Sequence, residues 1–356
     1  MGWHSTGRGW RSVVPVPLLS VVALGFVLDP LAALQVVEAE TLRTRTTDGI
    51  ELVGELHLPD GVGPFPAVVF THGSEPGTRS HRGYLAWAAA FRAAGIAALV
   101  FDKRGAGESE GEYVEAPDLS VPAEDLMAWV RRLRTRADVA PDRVGVLGWS
   151  QGGWVGPLAA SRMSDIAFVV SISGPGVSPL AQNIFDKTNQ FRASGASPEH
   201  VELYERAIRL VWTYLVTGQN EEGAQDAWDA ATSAGVLEDY AGWPMLDRER
   251  FLDDPRLQGF IAHSIYDPKE ALGSMRAPLL ALFGGADQIV PIEASIEAMQ
   301  SAFAESGNPG LTVRVFPGAD HVVRVSDAAG GRSYAPGLFD YVVGWVQSQL
   351  DVDDPG

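Results

Sequence analysis

An apolar run leads directly into a serine between glycines in VGVLGWSQGG, residues 144–153. The apolar residues from Arg143 to Gly148 predict a strand that is buried on both faces. The flanking glycines allow a turn in which Cβ atoms on either side of Ser150 would clash. Gly153 would let a following helix lie close to the sheet. The stretch therefore predicts a strand, a tight turn that carries Ser150, and a helix.

Strands and helices alternate on both sides of this turn. Continuous apolar runs predict buried strands over 66–71, 96–101, 166–172, 278–283 and 311–316. Apolar residues at helical spacing predict helices over 84–94, 120–133, 293–306 and 338–350. An Asp48-Gly49 turn predicts a hairpin of strands 42–46 and 50–58. Such alternation is typical of a mostly parallel sheet covered on both faces, so we predict the α/β class.

One long segment, residues 175–277, interrupts the alternation. It contains helical patterns, one that begins at Ser197-Pro198 and another over 221–235, and no convincing strand. An insertion of this length within a compact fold is usually functional. We predict a helical lid over the carboxyl ends of the strands, with a core made of 40–174 and 278–356.

The first 39 residues have the pattern of an export signal. Two arginines precede Val13–Leu28, a stretch without any charged residue. This stretch is short for a membrane span, which needs about 20 apolar residues. We therefore predict a signal peptide over 1–39, cleaved after Ala33 or Ala39, and a periplasmic or secreted protein. The alternative is a retained N-terminal membrane anchor.

Composition excludes several classes of function. The chain has 27 Lys and Arg against 45 Asp and Glu, a net charge of -18, which argues against a nucleic-acid partner. It contains no cysteine, so disulfides, thiolate metal sites and a cysteine nucleophile are excluded. Because phosphate-loop and HExxH motifs are missing, we predict no cofactor and no metal. Membrane contact is expected only through a retained N-terminal segment, and the sequence leaves the oligomeric state open.

The residues suited to chemistry follow predicted strands. Ser150 stands in G-x-S-x-G between a strand and a helix, the context of a nucleophile elbow, although a helix-capping serine is the alternative. A serine nucleophile needs a base, and His321 is the histidine that follows the last predicted strand of the sheet. Asp287 follows the preceding strand and is the predicted acid. The alternatives are that Asp287 caps the next helix, or that Asp320 is the acid.

Two further groups of residues are expected at this site. Backbone N–H groups of Ser74, in THGS after the first buried strand, and Gln151 are the predicted oxyanion donors. Aromatic residues of the predicted lid, Trp212, Trp228 and Trp243, are candidates for an acyl-binding pocket. Packing within the lid itself is the alternative for these tryptophans.

The motifs together resemble the α/β-hydrolase superfamily, in its bacterial esterase and serine-aminopeptidase-like branch. They are THGS at 71–74, FDKRGAGES at 101–109, GWSQGG at 148–153, GGADQIVP at 284–291 and GADH at 318–321. The resemblance covers nearly all of residues 40–350. It implies an α/β-hydrolase fold with a lid between the sixth and seventh strands. It also implies that Ser150 is the nucleophile, Asp287 the acid and His321 the base.

We expect a serine esterase that acts on a small-molecule acyl substrate through an acyl-enzyme. An amide hydrolase of the aminopeptidase or dipeptidyl-peptidase type shares the same catalytic residues. It would need carboxylates near Ser150 to bind an amine, and Asp186, Glu202 and Glu205 are candidates. A thioesterase and a non-catalytic binding protein with this fold are the remaining alternatives.

Overall fold

Eight strands form a mostly parallel sheet in the part of the chain that the computed structural model describes, residues 39–238, 245–253 and 255–351. In chain order they are β1 (Glu40–Arg45), β2 (Glu51–His57), β3 (Phe65–Thr71), β4 (Ala97–Phe101), β5 (Val139–Trp149), β6 (Val169–Ile172), β7 (Leu279–Gly284) and β8 (Leu311–Phe316). Their spatial order is β1-β2-β4-β3-β5-β6-β7-β8. The pairs β1–β2 and β2–β4 are antiparallel, and the other pairs are parallel. The predicted α/β class is confirmed.

Helices follow most of the strands. In the described residues they are α1 (Arg82–Ala93), α2 (Ser120–Arg134), α3 (Gly152–Arg162), α4 (Pro179–Ala193), α5 (Pro198–Thr217), α6 (Glu221–Ser233), α7 (Arg248–Asp253), α8 (Pro255–Ser264), α9 (Pro268–Ser274), α10 (Ile292–Ser306) and α11 (Leu338–Asp351). A small hairpin of β9 (Arg324–Ser326) and β10 (Arg332–Tyr334) follows β8. The sequence did not predict this hairpin, because strands of three residues are too short to show a period.

The two faces of the sheet bury separate hydrophobic clusters, since successive side chains of a strand point to opposite faces. On β3, Val69 belongs to the same cluster as Trp129 of α2, whereas Val68 and Phe70 belong to the cluster of Trp87 of α1. Burial on both faces explains why these strands are continuously apolar in sequence. It also brings the carboxyl ends of the parallel strands to one edge, where their loops meet.

Helices α4 to α9 lie between β6 and β7, and we refer to them as the helical segment. They have a hydrophobic cluster of their own, which includes Tyr204, Trp212 and Phe251. Among the described residues, no helix is long and apolar enough to cross a membrane. The predicted signal peptide or anchor, apart from Ala39, lies outside the described residues, as does Trp243.

Candidate active site

Ser150 occupies a strained turn between β5 and α3. Its φ is 52°, in the left-handed region that costs a non-glycine residue about 1–3 kcal/mol. A Cβ at Gly148 would lie 2.0 Å from the carbonyl oxygen of Gly152, and one at Gly152 would lie 2.7 Å from that of Thr71. The flanking glycines are therefore required by backbone contacts. The N-terminal cap of α3 is Gln151, so the helix-cap alternative for Ser150 does not describe this turn.

Gly153 allows α3 to approach the loop that follows β6. A Cβ added at Gly153 would lie 2.2 Å from the Cα of Gly174, a distance that no Cβ tolerates. This close approach, which the sequence predicted from the small residue, fixes the start of the helix beneath Ser150.

His321 connects Ser150 to Asp287. The His321 Nε2 lies 3.0 Å from the Ser150 Oγ, and the His321 Nδ1 lies 2.8 Å from the Asp287 Oδ2. Because a carboxylate accepts hydrogen bonds, the Nδ1 carries the proton and the Nε2 presents a lone pair to the serine hydroxyl. This geometry allows His321 to take a proton from Ser150.

Asp287 is held in place by backbone donors. Its side chain is fully buried, and its Oδ1 accepts from the N–H groups of Ile289 at 2.7 Å and Val290 at 3.1 Å. It thus organises the turn before α10, whose own cap position is Pro291. One oxygen serves this turn and the other serves His321.

Asp320, the competing acid, has different partners. Its Oδ1 accepts from the N–H groups of Val322 at 3.0 Å and Arg324 at 2.9 Å. Its Oδ2 forms an ion pair with Arg332. Of the two carboxylates, Asp287 is the one that contacts the His321 ring.

The predicted oxyanion donors flank Ser150. Ser74 and Gln151 line the same cavity as Ser150 and His321. Within the described residues, neither the Ser74 nor the Gln151 backbone N–H donates to another protein group. Both residues thus line the cavity with a backbone N–H that is not used by the described protein groups.

Tyr84, which the sequence analysis did not single out as a site residue, supports the loop that carries Ser74. Its hydroxyl accepts from the N–H of Gly73 at 3.2 Å and donates to the Oε1 of Glu75 at 2.7 Å. Burial, with the nearby Glu75 carboxylate, raises the pKa of Tyr84 well above its usual value. His72 packs edge-on against the Tyr84 ring, and burial lowers its pKa to about 3, so it is neutral.

Lys103 is a second residue of the site that the sequence did not indicate. Its Nζ donates to the carbonyl oxygen of Gly73 at 2.8 Å and to the Oε1 of Gln151 at 2.9 Å. Burial lowers the pKa of Lys103 to about 8. The sequence feature that could have indicated Lys103 is its position in FDKRG, just after a buried strand, in a chain that has only three lysines.

Two acidic residues that follow Lys103 in the sequence, Glu108 and Glu110, have structural partners. Glu108 pairs with Arg79, which also binds the buried Asp102. Glu110 accepts from the N–H of Glu51 at 2.9 Å. Their contacts are structural and lie outside the cavity.

A cavity of about 1160 Å³ opens at Ser150. Its apolar walls include Trp149, Trp154, Leu180, Trp212, Phe260 and Ile289. Trp212, a candidate for the acyl-binding pocket, thus lines the cavity at Ser150. Trp228 does not: it lies on α6 and packs against the hydrophobic cluster of the helical segment, because α6 packs on α5 away from the cavity.

Polar groups also line this cavity. Asp186 is present there, as are Glu75, Glu115 and Arg250. The other two candidate amine-binding carboxylates, Glu202 and Glu205, do not reach it. Both lie on α5 outside the cavity wall, and Glu205 forms an ion pair with Arg209 one turn further along the helix.

His263 of α8 is a further histidine in the cavity wall. Its Nδ1 lies 3.0 Å from the carbonyl oxygen of Pro117, and burial lowers its pKa. Across the described parts of the chain, no cluster of three or more His, Cys, Asp or Glu side chains is arranged to hold a metal ion.

Comparisons with known proteins agree with this fold. A family model described as serine aminopeptidase, S33, matches residues 63–325. A monoacylglycerol lipase of Mycolicibacterium smegmatis is 28% identical over 276 residues, 77% of this chain and 87% of that protein. An esterase of Pyrococcus furiosus has a similar structure, with a TM-score of 0.57, 17% identity and coverage of 97% of this chain and 99% of that one.

Other relatives match over shorter stretches. A thiohydrolase of Aspergillus aculeatus is 33% identical over 128 residues, which are 36% of this chain and 39% of that protein. A cocaine esterase of Rhodococcus is 25% identical over 204 residues, which are 55% of this chain and 32% of that protein. The chain therefore spans well under half the length of these two relatives.

Proposed function

The chain belongs to the serine aminopeptidase, S33, family of the α/β-hydrolases, and from this membership we propose that it hydrolyses carboxylic esters through Ser150, His321 and Asp287. The observation that carries the proposal is the hydrogen-bonded chain from Ser150 through His321 to Asp287, which opens into the cavity. The apolar walls of the cavity favour a hydrophobic acyl group. The lipase and esterase names among the similar proteins point to the same chemistry.

In the first half of the proposed reaction, the Ser150 Oγ attacks the ester carbonyl while the His321 Nε2 takes its proton. The negative charge that develops on the carbonyl oxygen is stabilised by the N–H groups of Ser74 and Gln151. His321 then gives the proton to the leaving alkoxide, and the acyl group stays on Ser150. The Asp287 carboxylate stabilises the imidazolium that exists between these two proton transfers.

In the second half, water replaces the alcohol. His321 takes a proton from the water as its oxygen attacks the acyl carbonyl, and the same N–H groups receive the oxyanion. Collapse of this intermediate breaks the bond to the Ser150 Oγ, which recovers its proton from His321. The carboxylic acid leaves, and the enzyme returns to its starting state.

Covalent labelling tests the nucleophile. A fluorophosphonate probe should modify folded wild-type protein at Ser150, as mapped by mass spectrometry, and should not modify Ser150→Ala. Ser348→Ala, a change at an exposed serine on α11, is the matched control and should label as the wild type does. Absence of labelling on folded wild-type protein would favour the non-catalytic binding protein instead.

An aminopeptidase activity is the second candidate, because Asp186 lies in the cavity wall, where a carboxylate can bind a substrate ammonium group. Hydrolysis of p-nitrophenyl acyl esters compared with aminoacyl anilides separates the two. Cleavage of anilides alone would overturn the ester proposal. An acyl-thioester arm of the same assay tests the thioesterase alternative, which the similarity to a thiohydrolase supports.

We propose that the protein is exported and that residues 1–39 are removed. The basic start and the uncharged stretch Val13–Leu28 support this. Mass analysis of protein recovered from the periplasm or medium should give a chain that begins near residue 34 or 40. An intact N-terminus in the membrane fraction would instead identify an anchor.

A further inference from the structure

We propose that Lys103 is a positioning residue that holds both oxyanion donors, the Ser74 N–H and the Gln151 N–H, in their working orientation. The inference rests on the proposed function, because an oxyanion forms only if Ser150 attacks a carbonyl. Lys103 lies two residues after the end of β4, in a motif to which the mechanism above assigns no role. It is a positioning residue because it does not line the cavity, and its Nζ contacts Gly73, Gln151 and, at 3.5 Å, the carbonyl oxygen of Glu75.

The first contact acts on the Ser74 donor. The carbonyl that accepts from the Lys103 Nζ, that of Gly73, belongs to the same planar peptide as the Ser74 N–H. In a trans peptide these two groups point in opposite directions. An ammonium on the carbonyl therefore fixes the direction of the N–H, and it polarises the peptide so that the N–H becomes a stronger donor.

The second contact acts on the Gln151 donor. The Oε1 of Gln151 accepts from the same ammonium, and its Nε2 donates to the carbonyl oxygen of Glu115 at 2.8 Å. Both ends of this side chain are thus held, so the residue that follows Ser150 cannot rotate freely. A single buried cation joins the loop after β3 to the start of α3.

The charge of Lys103 is costly where it lies. The residue is only 8% exposed, and within the described residues no carboxylate lies within ion-pair distance of its Nζ. The ring of Tyr113 is 5.5 Å away, and burial lowers the pKa of Lys103 to about 8. A methionine of similar length would avoid this desolvation. Packing alone therefore does not account for a lysine, whereas two aligned acceptors do.

Kinetics of Lys103→Met test the proposal. Oxyanion donors act mainly in the transition state, and loss of one donor typically lowers kcat by about 10²–10³-fold. We expect misorientation of both to lower kcat by about 10–100-fold and to change KM by less than about threefold. Lys269→Met, the same change at an exposed lysine, is the control and should keep wild-type kinetics. A folded Lys103→Met protein with kcat within threefold of wild type would overturn the proposal.

The pH profile provides a test that needs no variant. An ammonium is a stronger donor than a neutral amine, so wild-type kcat should fall as pH rises through about 8. Ionisable groups that face Lys103 are Glu75, Glu115, Asp125, Tyr113, His72 and His263. Burial lowers the pKa of His72 and of His263, so both stay neutral in this range and do not produce the same limb. A wild-type kcat that stays constant from pH 7 to 10 refutes the role of Lys103.

The two proposals fail in different ways. If fluorophosphonate does not label Ser150 in the wild-type protein, the proposed function is wrong, and the question of oxyanion donors does not arise. If the wild type is labelled and Lys103→Met is labelled at the same rate, the proposed function stands and the Lys103 inference is wrong. Circular dichroism and thermal unfolding of each variant establish that rates are compared between folded proteins.

Discussion

Replacement of Asp287 by asparagine tests the hydrogen-bonded chain most directly. The Asp287 Oδ1 accepts from two backbone N–H groups, so in Asp287→Asn the amide oxygen keeps this position. The amide nitrogen then takes the place of the Oδ2, 2.8 Å from the His321 Nδ1. Two N–H donors cannot face each other at that distance. His321 must therefore shift its proton from the Nδ1 to the Nε2.

In this tautomer, His321 can no longer act as the base. With a proton on the Nε2, His321 cannot accept the hydrogen of the Ser150 hydroxyl, which lies 3.0 Å away. We expect kcat/KM for p-nitrophenyl acetate to fall by about 10³–10⁴-fold, which corresponds to about 4–5 kcal/mol of transition-state stabilisation. The volume of the side chain is unchanged and the backbone acceptor is kept, so the fold should be retained.

Asp320→Asn is the matched control, because Asp320 is the adjacent carboxylate and was the rival acid. Its contacts are to backbone N–H groups and Arg332, so we expect kcat/KM within about fivefold of wild type. Both variants are measured by ester hydrolysis and by the rate of fluorophosphonate labelling. If Asp287→Asn keeps a tenth of wild-type activity, or if Asp320→Asn loses as much, the assignment of the acid is refuted.

Three further predictions follow from burial and packing. Burial lowers the pKa of Lys103 from 10.5 to about 8 in the folded chain. As pH rises between these values, the free energy of unfolding of the wild type should therefore increase by about 3 kcal/mol relative to that of Lys103→Met. An equal pH dependence of the two proteins in urea titrations would contradict this. Gly153→Ala should destabilise the protein by at least about 2 kcal/mol because its Cβ would clash with Gly174, whereas Gly344→Ala on the exposed side of α11 should stabilise it by up to about 1 kcal/mol. A higher melting temperature for Gly153→Ala than for Gly344→Ala would exclude the close contact. Trp212→Ala should lower the free energy of unfolding by about 3–5 kcal/mol and shift the preference among p-nitrophenyl esters towards longer acyl chains. An unchanged chain-length preference would show that Trp212 does not contact the acyl group.

Features of the fold that depend on local pattern could be predicted from the sequence. Buried strands such as β3 and β7 are continuous apolar runs, and topology placed the loops of Asp287 and His321 at the edge where β5 ends. The structure brings Ser150, Asp287 and His321 together at hydrogen-bond distance. Their places directly after predicted strands nominated them, although the sequence left Asp320 open as an alternative acid.

What could not be predicted depends on contacts between distant residues. Lys103 lies 30 residues from Gly73 and 48 residues from Gln151, and the spacing of residue types in the sequence does not predict hydrogen bonds over such separations. The helical pattern of α6 showed that Trp228 is on an apolar face, but it did not show whether that face meets the cavity or α5. Choosing between those two faces requires the packing of whole helices, which is set by tertiary structure.

The separate hydrophobic cluster of the helical segment has a consequence for how such enzymes diversify. Ser150, Asp287 and His321 are positioned by the loops of the sheet, whereas Trp212 and Phe260 reach the cavity from α5 and α8. Substitutions that repack the helices can therefore alter the cavity wall without moving the reacting groups. Under the proposed ester hydrolysis, the range of acyl groups accepted could therefore drift under selection while the reacting residues are inherited unchanged.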